Sequence, residues 1–194
     1  MKKCMLCAVT FMLCMTLSGL NLMAGRAPAA KGEKLPDLSL KIPEEQAQKE
    51  YLGLEGNGTF KIPQIKAKVV VIEIFSMYCP YCQREAPNVN ELYSKIEDNP
   101  KLKGKIKLIG IGAGNSPFEV DVFRKKYEVP FPLFSDENYA LYQCLGEVRT
   151  PYFFAAKINP DGTTTVLYSQ LGGLHGADRF LESILNLSSL KKEM

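Results

Sequence analysis

A CxxC motif at residues 79–82, with the sequence Cys-Pro-Tyr-Cys, lies where a predicted strand gives way to a predicted helix. Residues 68–75 before it are apolar and largely β-branched, which is typical of a strand covered on both faces. The run after it, residues 83–98, carries apolar side chains at helical spacing. A helix that begins near Cys79 directs its free N–H groups and the positive end of its dipole toward that sulfur, which favours the thiolate. A lone CxxC is also compatible with half of a zinc site, but this setting predicts a redox-active dithiol.

The start of this 194-residue chain has the order of a secretory signal peptide. Two lysines precede an apolar run, and small residues follow, so that cleavage is expected after Ala24 or as late as Ala29. We therefore expect a signal peptide at residues 1–24, a tether at 25–34 and one domain at 35–190. The apolar run is marginally short for a membrane span of about 20 residues, and an uncleaved anchor is the alternative.

Export would place the dithiol where disulfides persist, and the bacterial character of the signal favours the periplasm. The formal charge of +3 falls to +1 when Lys2 and Lys3 leave with the signal. Such a small charge gives no electrostatic reason to expect binding to nucleic acid.

Outside the signal, the chain keeps one cysteine besides the motif. Cys144 lies on a predicted short helix, beside Leu141 and Leu145. We expect it to pack as a small apolar residue, and a regulatory or intermolecular thiol is the alternative.

Predicted strands and helices alternate through the domain. Strands are expected at 38–42, 59–62, 68–75, 105–112, 131–134, 152–158 and 164–169, and helices at 44–51, 79–98, 117–127, 137–145 and 178–187. Alternation followed by a hairpin and a last helix predicts a mixed sheet with helices on both faces.

This order, with CxxC at the first strand–helix junction of the core, resembles the thioredoxin fold. Thr150-Pro151 opens the strand before the hairpin, where thioredoxin-like proteins keep a cis-proline that faces the dithiol. Pro87 stands five residues after Cys82, where the helix of the family carries a kinking proline. Glu73 occupies the position of the family's buried acid. The resemblance implies a three-layer α/β/α sandwich with a mixed central sheet, here with an N-terminal extension.

The residues after the motif resemble one branch of that family. Cys82-Gln-Arg-Glu85-Ala-Pro87 is similar to the Cys-x-x-Glu-x-Pro of the exported TlpA/ResA-type thioredoxins. The segment at 36–40 is similar to the Pro-Asp-x-x-Leu with which this branch often begins. The resemblance implies a thiol–disulfide oxidoreductase that acts on exported proteins.

The position of each thiol predicts its role. Cys79, at the start of the helix, is expected to be the exposed nucleophile, and Cys82, one turn further and facing the core, the shielded resolving thiol. Glu73 lies within an apolar strand, so burial is expected to raise its pKa and let it take the proton of Cys82. The alternative for Glu73 is a carboxylate that reaches solvent or pairs with a lysine. The resemblance implies that Glu85 modulates the thiol pKa values, and the alternative is a solvated helix carboxylate.

The resemblance also implies a substrate surface around the motif. Tyr78, Pro80 and Tyr81 are expected to contact the substrate, together with Thr150 and Pro151. The backbone of Thr150 would offer N–H and C=O groups to an extended protein segment. The expected partners are cysteines of exported proteins, including apocytochromes c as one candidate, and a membrane thiol that supplies electrons if the enzyme is a reductase. Nothing in the sequence predicts an oligomeric state.

The direction of electron flow stays open because two features depart from the TlpA/ResA pattern. Met77 and Tyr78 stand where the family usually has Trp before the first cysteine. The Pro80-Tyr81 dipeptide and Thr150 are commoner among glutaredoxins and the DsbC/DsbG group. An oxidase or isomerase is therefore an alternative, and a thiol-dependent chaperone or redox-sensing binding protein is another.

The sequence predicts neither a cofactor nor a metal. His175 is the only histidine, and one histidine with two cysteines that pair with each other is a poor set of metal ligands. Gln83 follows Cys82 where c-type haem attachment requires His. Peroxiredoxin chemistry fits poorly, since Ile72 stands where its proline is expected.

Overall fold

The computed structural model describes residues 27–193, so the predicted signal peptide lies outside the described residues. The elements in chain order are β1 (Ser39–Lys41), α1 (Gln46–Leu52), β2 (Thr59–Lys61), β3 (Val69–Phe75), α2 (Pro80–Glu97), β4 (Ile106–Ala113), α3 (Pro117–Lys126), β5 (Leu133–Asp136), α4 (Ala140–Cys144), β6 (Tyr152–Ile158), β7 (Thr164–Leu171) and α5 (Ala177–Ser188). Among these described helices, none is both long and apolar enough to cross a bilayer.

A five-stranded mixed sheet in the order β5-β4-β3-β6-β7 forms the centre of the domain. β3, β4 and β5 run parallel, whereas β6 is antiparallel to both β3 and β7. The carboxyl ends of β3, β4 and β7 therefore meet the start of β6 at one edge. That edge brings together four loops that are far apart in the sequence.

Two apolar clusters sandwich the sheet. The alternating side chains of β3 explain this, because Val69, Val71 and Phe75 face α2, α3 and α5, whereas Val70, Ile72 and Ile74 face the opposite side. All seven residues of β3 are buried, as predicted for a strand covered on both faces.

The N-terminal segment covers the second face of the sheet. Leu35, Leu38, Leu40 and Phe60 are buried there, and the Phe60 ring lies 5.6 Å from the ring of Phe134 on β5. β1 pairs only with β2 in a separate two-stranded antiparallel sheet, so this predicted strand does not extend the central sheet.

The chain already contacts the domain before residue 35. The N–H of Gly32 donates to the carbonyl of Val166 on β7, and the N–H of Val166 donates to the carbonyl of Glu33. These bonds cover part of the outer edge of β7.

The region of β5 and α4 differs from its prediction. β5 ends at the buried Asp136, whose carboxylate accepts hydrogen bonds from the N–H groups of Leu141 and Tyr142. Because of this contact, β5 covers 133–136 instead of the predicted 131–134, and α4 begins at Ala140 instead of at 137. α4 is only five residues long and Leu145 after it takes the core position, so Cys144 is exposed and its predicted packing is wrong.

Candidate active site

Cys79 is the N-cap residue of α2, and Pro80 follows at the first helical position. Proline is favoured there because the first N–H of a helix has no partner within the helix. The Sγ of Cys79 accepts a hydrogen bond from the backbone N–H of Cys82 at 3.3 Å. The nucleophile candidate thus occupies the position at which a helix stabilises negative charge.

The surroundings of Cys79 lower the pKa of its thiol below the ordinary value. Partial burial opposes ionisation, but hydrogen bonds from the side chains of Cys82 and Thr150 and from the backbone N–H groups of residues 81 and 82 outweigh it. The Sγ also lies 3.3 Å from the carbonyl oxygen of Thr150 and donates to it as a thiol. That last contact favours the thiol, so it works against the shift.

Cys82 has the opposite environment. Its side chain is fully buried, and burial, followed by the hydrogen bond with Cys79, raises its pKa far above the ordinary value. At neutral pH Cys82 is therefore a thiol, and it needs a base before it can attack.

Glu73 on β3 is buried, with 4% of its surface exposed. Its Oε1 has no hydrogen-bond partner among the residues that the structure describes. Burial raises the pKa of Glu73 to about 8, with smaller contributions from the charges of Glu85 and Cys79. The charge of Glu73 in turn contributes to the raised pKa of Cys82. A carboxyl group that gains and loses a proton near neutrality therefore lies within electrostatic reach of the buried thiol.

Thr150 and Pro151 lie next to the dithiol because Tyr152, the first residue of β6, pairs with Ile74 near the end of β3. The predicted cis peptide bond between Thr150 and Pro151 is present. The carbonyl of Pro151 accepts a hydrogen bond from the N–H of Gly172. The backbone of Thr150 is thus held beside the Sγ of Cys79.

Two side-chain amides hold the loop that precedes Cys79. The Oδ1 of Asn115, fully buried after β4, accepts a hydrogen bond from the N–H of Met77 at 2.8 Å. The Nε2 of Gln83 donates to the carbonyl of Met77 at 2.7 Å. Asn115 also donates to the hydroxyl of Ser76 at 3.4 Å. We call Asn115 and Gln83 the amide clamp. No sequence pattern predicts the clamp, and its one signal is a polar residue two positions after an apolar strand.

Exposed aromatic side chains lie on both sides of Cys79 in the sequence. Tyr78 and Tyr81 are 66% and 67% exposed, and Phe118 at the start of α3 is 75% exposed. The hydroxyl of Tyr78 hydrogen-bonds to the carboxylate of Glu119, which raises the pKa of Tyr78. Exposed apolar surface of this kind is typical of a contact surface for another molecule.

Glu85 joins α2 to the loop that follows β7. Its Oε1 accepts a hydrogen bond from the N–H of Leu174 at 2.8 Å, and its Oε2 accepts one from Asn88 at 3.3 Å. A Cβ on Gly173 would lie 2.5 Å from Oε2, so the loop approaches the carboxylate as closely as glycine permits. Glu85 is therefore not a freely solvated carboxylate, and its charge acts on Glu73.

The structure brings the predicted site residues to one edge of the sheet. An ionisable surface thiol, a buried thiol and a buried carboxyl group are suited to thiol–disulfide exchange, in which a thiolate attacks a disulfide sulfur. In the part of the chain that the structure describes, no group of three or more acidic, His or Cys side chains is placed to hold a metal ion.

A sequence model of the AhpC/TSA family matches residues 31–166. The chain is 29% identical over 109 residues to the thiol-disulfide oxidoreductase ResA of Bacillus thuringiensis subsp. konkukian (strain 97-27). That alignment covers 56% of this chain, and the chain spans 58% of the relative's length.

Two solved structures resemble the fold. A crystal structure from Chlorobium tepidum, of a protein described as a DsbE-type thiol:disulfide interchange protein, superposes with a TM-score of 0.62 at 18% identity, over 82% of this chain and 98% of the other. StoA from Bacillus subtilis superposes with a TM-score of 0.55 at 18% identity, over 77% of this chain and 96% of the other. The predicted thioredoxin-like α/β fold is confirmed.

Proposed function

The chain belongs to the AhpC/TSA family, within its thioredoxin-like members, and on that premise we propose that it is a thiol–disulfide oxidoreductase. We propose that it reduces disulfides of exported proteins. One observation carries the proposal: Cys79 caps α2 with its Sγ 3.3 Å from the N–H of Cys82 and 3.3 Å from the carbonyl of Thr150. A thiolate stabilised at a helix start and next to backbone groups is suited to attack an extended disulfide-bonded segment.

The reaction proceeds in two exchanges. The thiolate of Cys79 attacks one sulfur of the substrate disulfide, and the other substrate sulfur leaves as a thiolate that takes up a proton. Cys82 then loses its proton and attacks the Sγ of Cys79, which releases the second substrate thiol. The substrate gains two electrons and two protons, and Cys79 and Cys82 become a disulfide.

Glu73 supplies the base for the second exchange. The raised pKa of Cys82 keeps it protonated until the mixed disulfide has formed. Glu73 titrates at about 8, so near neutrality it can receive that proton when ionised and donate it when protonated. Glu85 acts on the thiols indirectly in this scheme, because its charge helps to keep the proton on Glu73.

The substrate lies across the start of α2. Tyr78, Pro80 and Tyr81 contact it on the helix side, and the backbone of Thr150 before Pro151 pairs with it in an extended conformation. The exposure of Tyr78 and Tyr81 supports this arrangement.

We further propose that the chain acts in the periplasm, either released by signal cleavage or held by an uncleaved anchor. A reductase there needs a thiol donor, and we propose that a membrane protein supplies the two electrons that return the Cys79–Cys82 disulfide to the dithiol. Apocytochromes c are one candidate among its exported substrates.

The direct test is reduction of insulin by the domain with dithiothreitol as the electron source. We expect turnover by the wild type, loss of turnover in Cys79→Ser, and a trapped mixed disulfide in Cys82→Ser. A wild type without turnover, whose Cys82 rather than Cys79 reacts first with limiting iodoacetamide, would contradict the proposal.

The lowered pKa of Cys79 favours a second direction of the same chemistry. A stabilised thiolate stabilises the reduced dithiol, which makes a disulfide more oxidising. The reduction potential of the pair decides between the two. A value near the roughly −270 mV of thioredoxin supports the reductase, whereas one near the roughly −120 mV of a strong oxidant supports disulfide formation or isomerisation.

A further inference from the structure

A cavity of about 420 Å³ lies beside the dithiol, between the first turns of α2 and the ends of β6 and β7. Its lining includes Tyr81, Arg84, Glu85, Arg149, Thr150 and Pro151. Thr150 joins the cavity to the reacting sulfur, since its carbonyl oxygen is 3.3 Å from the Sγ of Cys79. We call this space the arginine cavity.

Two guanidinium groups of the lining have no acidic partner. Among the described residues, neither Arg84 nor Arg149 forms an ion pair, although Arg124 and Lys125 on α3 do. The guanidinium of Arg84 lies 4.5 Å from the centre of the Tyr81 ring. Stacking of this kind holds the group in place and leaves its N–H donors free for an acceptor.

The acidic residue of the lining offsets only one of the two positive charges. Both oxygens of Glu85 already accept hydrogen bonds, one from the N–H of Leu174 and one from Asn88. The lining therefore carries two positive charges against one negative charge whose acceptors are in use. An incoming carboxylate would meet free donors, whereas an incoming ammonium group would meet two positive charges.

The position of Arg149 places one of the two positive charges next to the surface that is proposed to bind the substrate. Arg149 directly precedes Thr150, the residue whose backbone is placed to pair with an extended segment. A segment that presents its disulfide sulfur to Cys79 would bring the side chain of a residue next to its cysteine into the arginine cavity. The exposed rings of Tyr78 and Phe118 favour a protein segment as the occupant, because a small disulfide would not reach across that surface.

We propose that the arginine cavity selects substrates by charge: it takes the carboxylate side chain of an acidic residue adjacent to the substrate cysteine, with Arg84 and Arg149 as its donors. This inference rests on the proposed function and names the substrate class, an acidic cysteine-bearing protein segment.

Binding can be measured without redox chemistry. A Cys79→Ser/Cys82→Ser variant of the full domain is titrated, by calorimetry or by NMR shifts, with peptides that carry Ser in place of cysteine. The peptides differ only in the flanking residue, which is Glu, Gln or Lys. At low ionic strength we expect the Glu peptide to bind about tenfold more tightly than the Lys peptide, with Gln between them and the difference shrinking as salt is added.

Reversing the charge of each arginine tests whether the arginine cavity causes the preference for the Glu peptide. Arg84→Glu or Arg149→Glu, each added to that background, should remove or invert the order of the peptides. Arg179→Glu is the matched control, because Arg179 is an exposed arginine on α5 that does not line the cavity and its reversal changes the net charge equally. We expect the control to keep the preference for Glu.

Equal affinity for the Glu and Lys peptides, or a preference that survives both Arg84→Glu and Arg149→Glu, would overturn the inference. Reduction of hydroxyethyl disulfide by the wild type separates this result from failure of the proposed function. This disulfide is uncharged, so its turnover tests the dithiol alone. Turnover without charge preference rejects the acidic substrate class only, and charge preference without turnover rejects the oxidoreductase while the binding preference stands.

Discussion

The two cysteines of the motif stand in different surroundings although only two residues separate them. Cys79 receives hydrogen bonds at the start of α2, whereas Cys82 faces the apolar cluster between α2 and β3. A helix start stabilises a thiolate and an apolar cluster destabilises one, so the two pKa values move in opposite directions. This difference supports the proposal that Cys79 attacks the substrate and that Cys82 resolves the mixed disulfide.

Alkylation should therefore separate the two thiols by pH. In the Cys82→Ser variant, we expect the rate of iodoacetamide reaction to rise with a midpoint below that of an ordinary thiol, because the measured rate follows the thiolate of Cys79. In Cys79→Ser, the reaction of Cys82, measured by peptide mapping to separate it from the exposed Cys144, should stay slow across neutral pH. Equal rates and midpoints in the two variants would contradict the assignment.

Glu73 should make the stability of the domain depend on pH. Its pKa is about 8 in the folded protein against an ordinary value of 4.5, so between these values the folded protein holds a proton that the unfolded chain has released. Unfolding then releases that proton, and the free energy of unfolding falls as the pH rises through this window, by as much as about 5 kcal/mol. Below pH 4.5 the stabilisation is complete, and above about pH 8 the fall ends.

Urea unfolding of the oxidised domain at a series of pH values measures this effect, because Cys79 and Cys82 form a disulfide there and do not titrate. Glu73→Gln keeps a neutral side chain of similar size, so its stability should stay nearly constant where that of the wild type falls. Parallel curves for the two proteins would show that Glu73 does not hold the proton.

Among the elements, α2 and the loop before it act as one unit. The amide clamp binds both backbone polar groups of Met77. Asn115, which follows β4, accepts a hydrogen bond from its N–H, and Gln83 of α2 donates one to its carbonyl. The position of Cys79 relative to the start of its helix thus depends on a side chain from the loop between β4 and α3. Asn115 is in this sense a positioning residue, since it acts on the sulfur through the loop.

Asn115→Ala should change the chemistry of Cys79 as well as the stability. The N–H of Met77 would lose its partner, at a cost of about 1–3 kcal/mol. We expect the alkylation midpoint of Cys79 to rise, because its sulfur is no longer held at the helix start.

Asn90→Ala is the matched control for this experiment. Asn90 is a partly buried residue of α2 whose Nδ2 donates to the carbonyl of Tyr127 at 2.8 Å, outside the site. Its loss should lower stability and leave the alkylation profile of Cys79 unchanged. If Asn115→Ala behaves in the same way as Asn90→Ala, Asn115 has only a structural role.

In the molecule as a whole, the two faces of the central sheet differ in what they pack against and in whether they carry the dithiol. The face with α2, α3 and α5 carries the dithiol, and the opposite face is covered by the N-terminal segment with β1 and β2. β3 contributes to both faces through alternate residues. The N-terminal segment therefore stabilises the sheet without touching the reacting groups.

Phe60→Ala should consequently lower stability but not change the reactivity of Cys79. Removing a fully buried ring that packs on Phe134 costs about 3–5 kcal/mol. Phe118→Ala, which removes an exposed ring, should change stability by no more than about 0.5 kcal/mol. Chemical unfolding checks both values. A Cys79 midpoint that shifts in folded Phe60→Ala would show that the two faces are coupled.

The sequence by itself determined what depends on neighbours along the chain. The strand at β3, the helix that starts at Cys79, the hairpin of β6 and β7 and the burial of Glu73 all follow from periodicity, capping and β-branched residues within short windows. The resemblance to thioredoxins predicted the cis peptide bond before Pro151 and the position of Thr150 next to the dithiol. These two sources were enough to identify the fold and to name the dithiol.

Only the tertiary structure decided what depends on contacts between distant segments. The amide clamp joins Asn115 to Met77, and the arginine cavity joins Arg84 to Arg149. No local pattern encodes such a pairing, because it arises from the parallel and antiparallel order of the strands. The predicted packing of Cys144 is wrong for the same reason. Asp136, by binding the backbone of α4, shortened a helix whose local pattern predicted a longer one, and a residue expected in the core was left exposed.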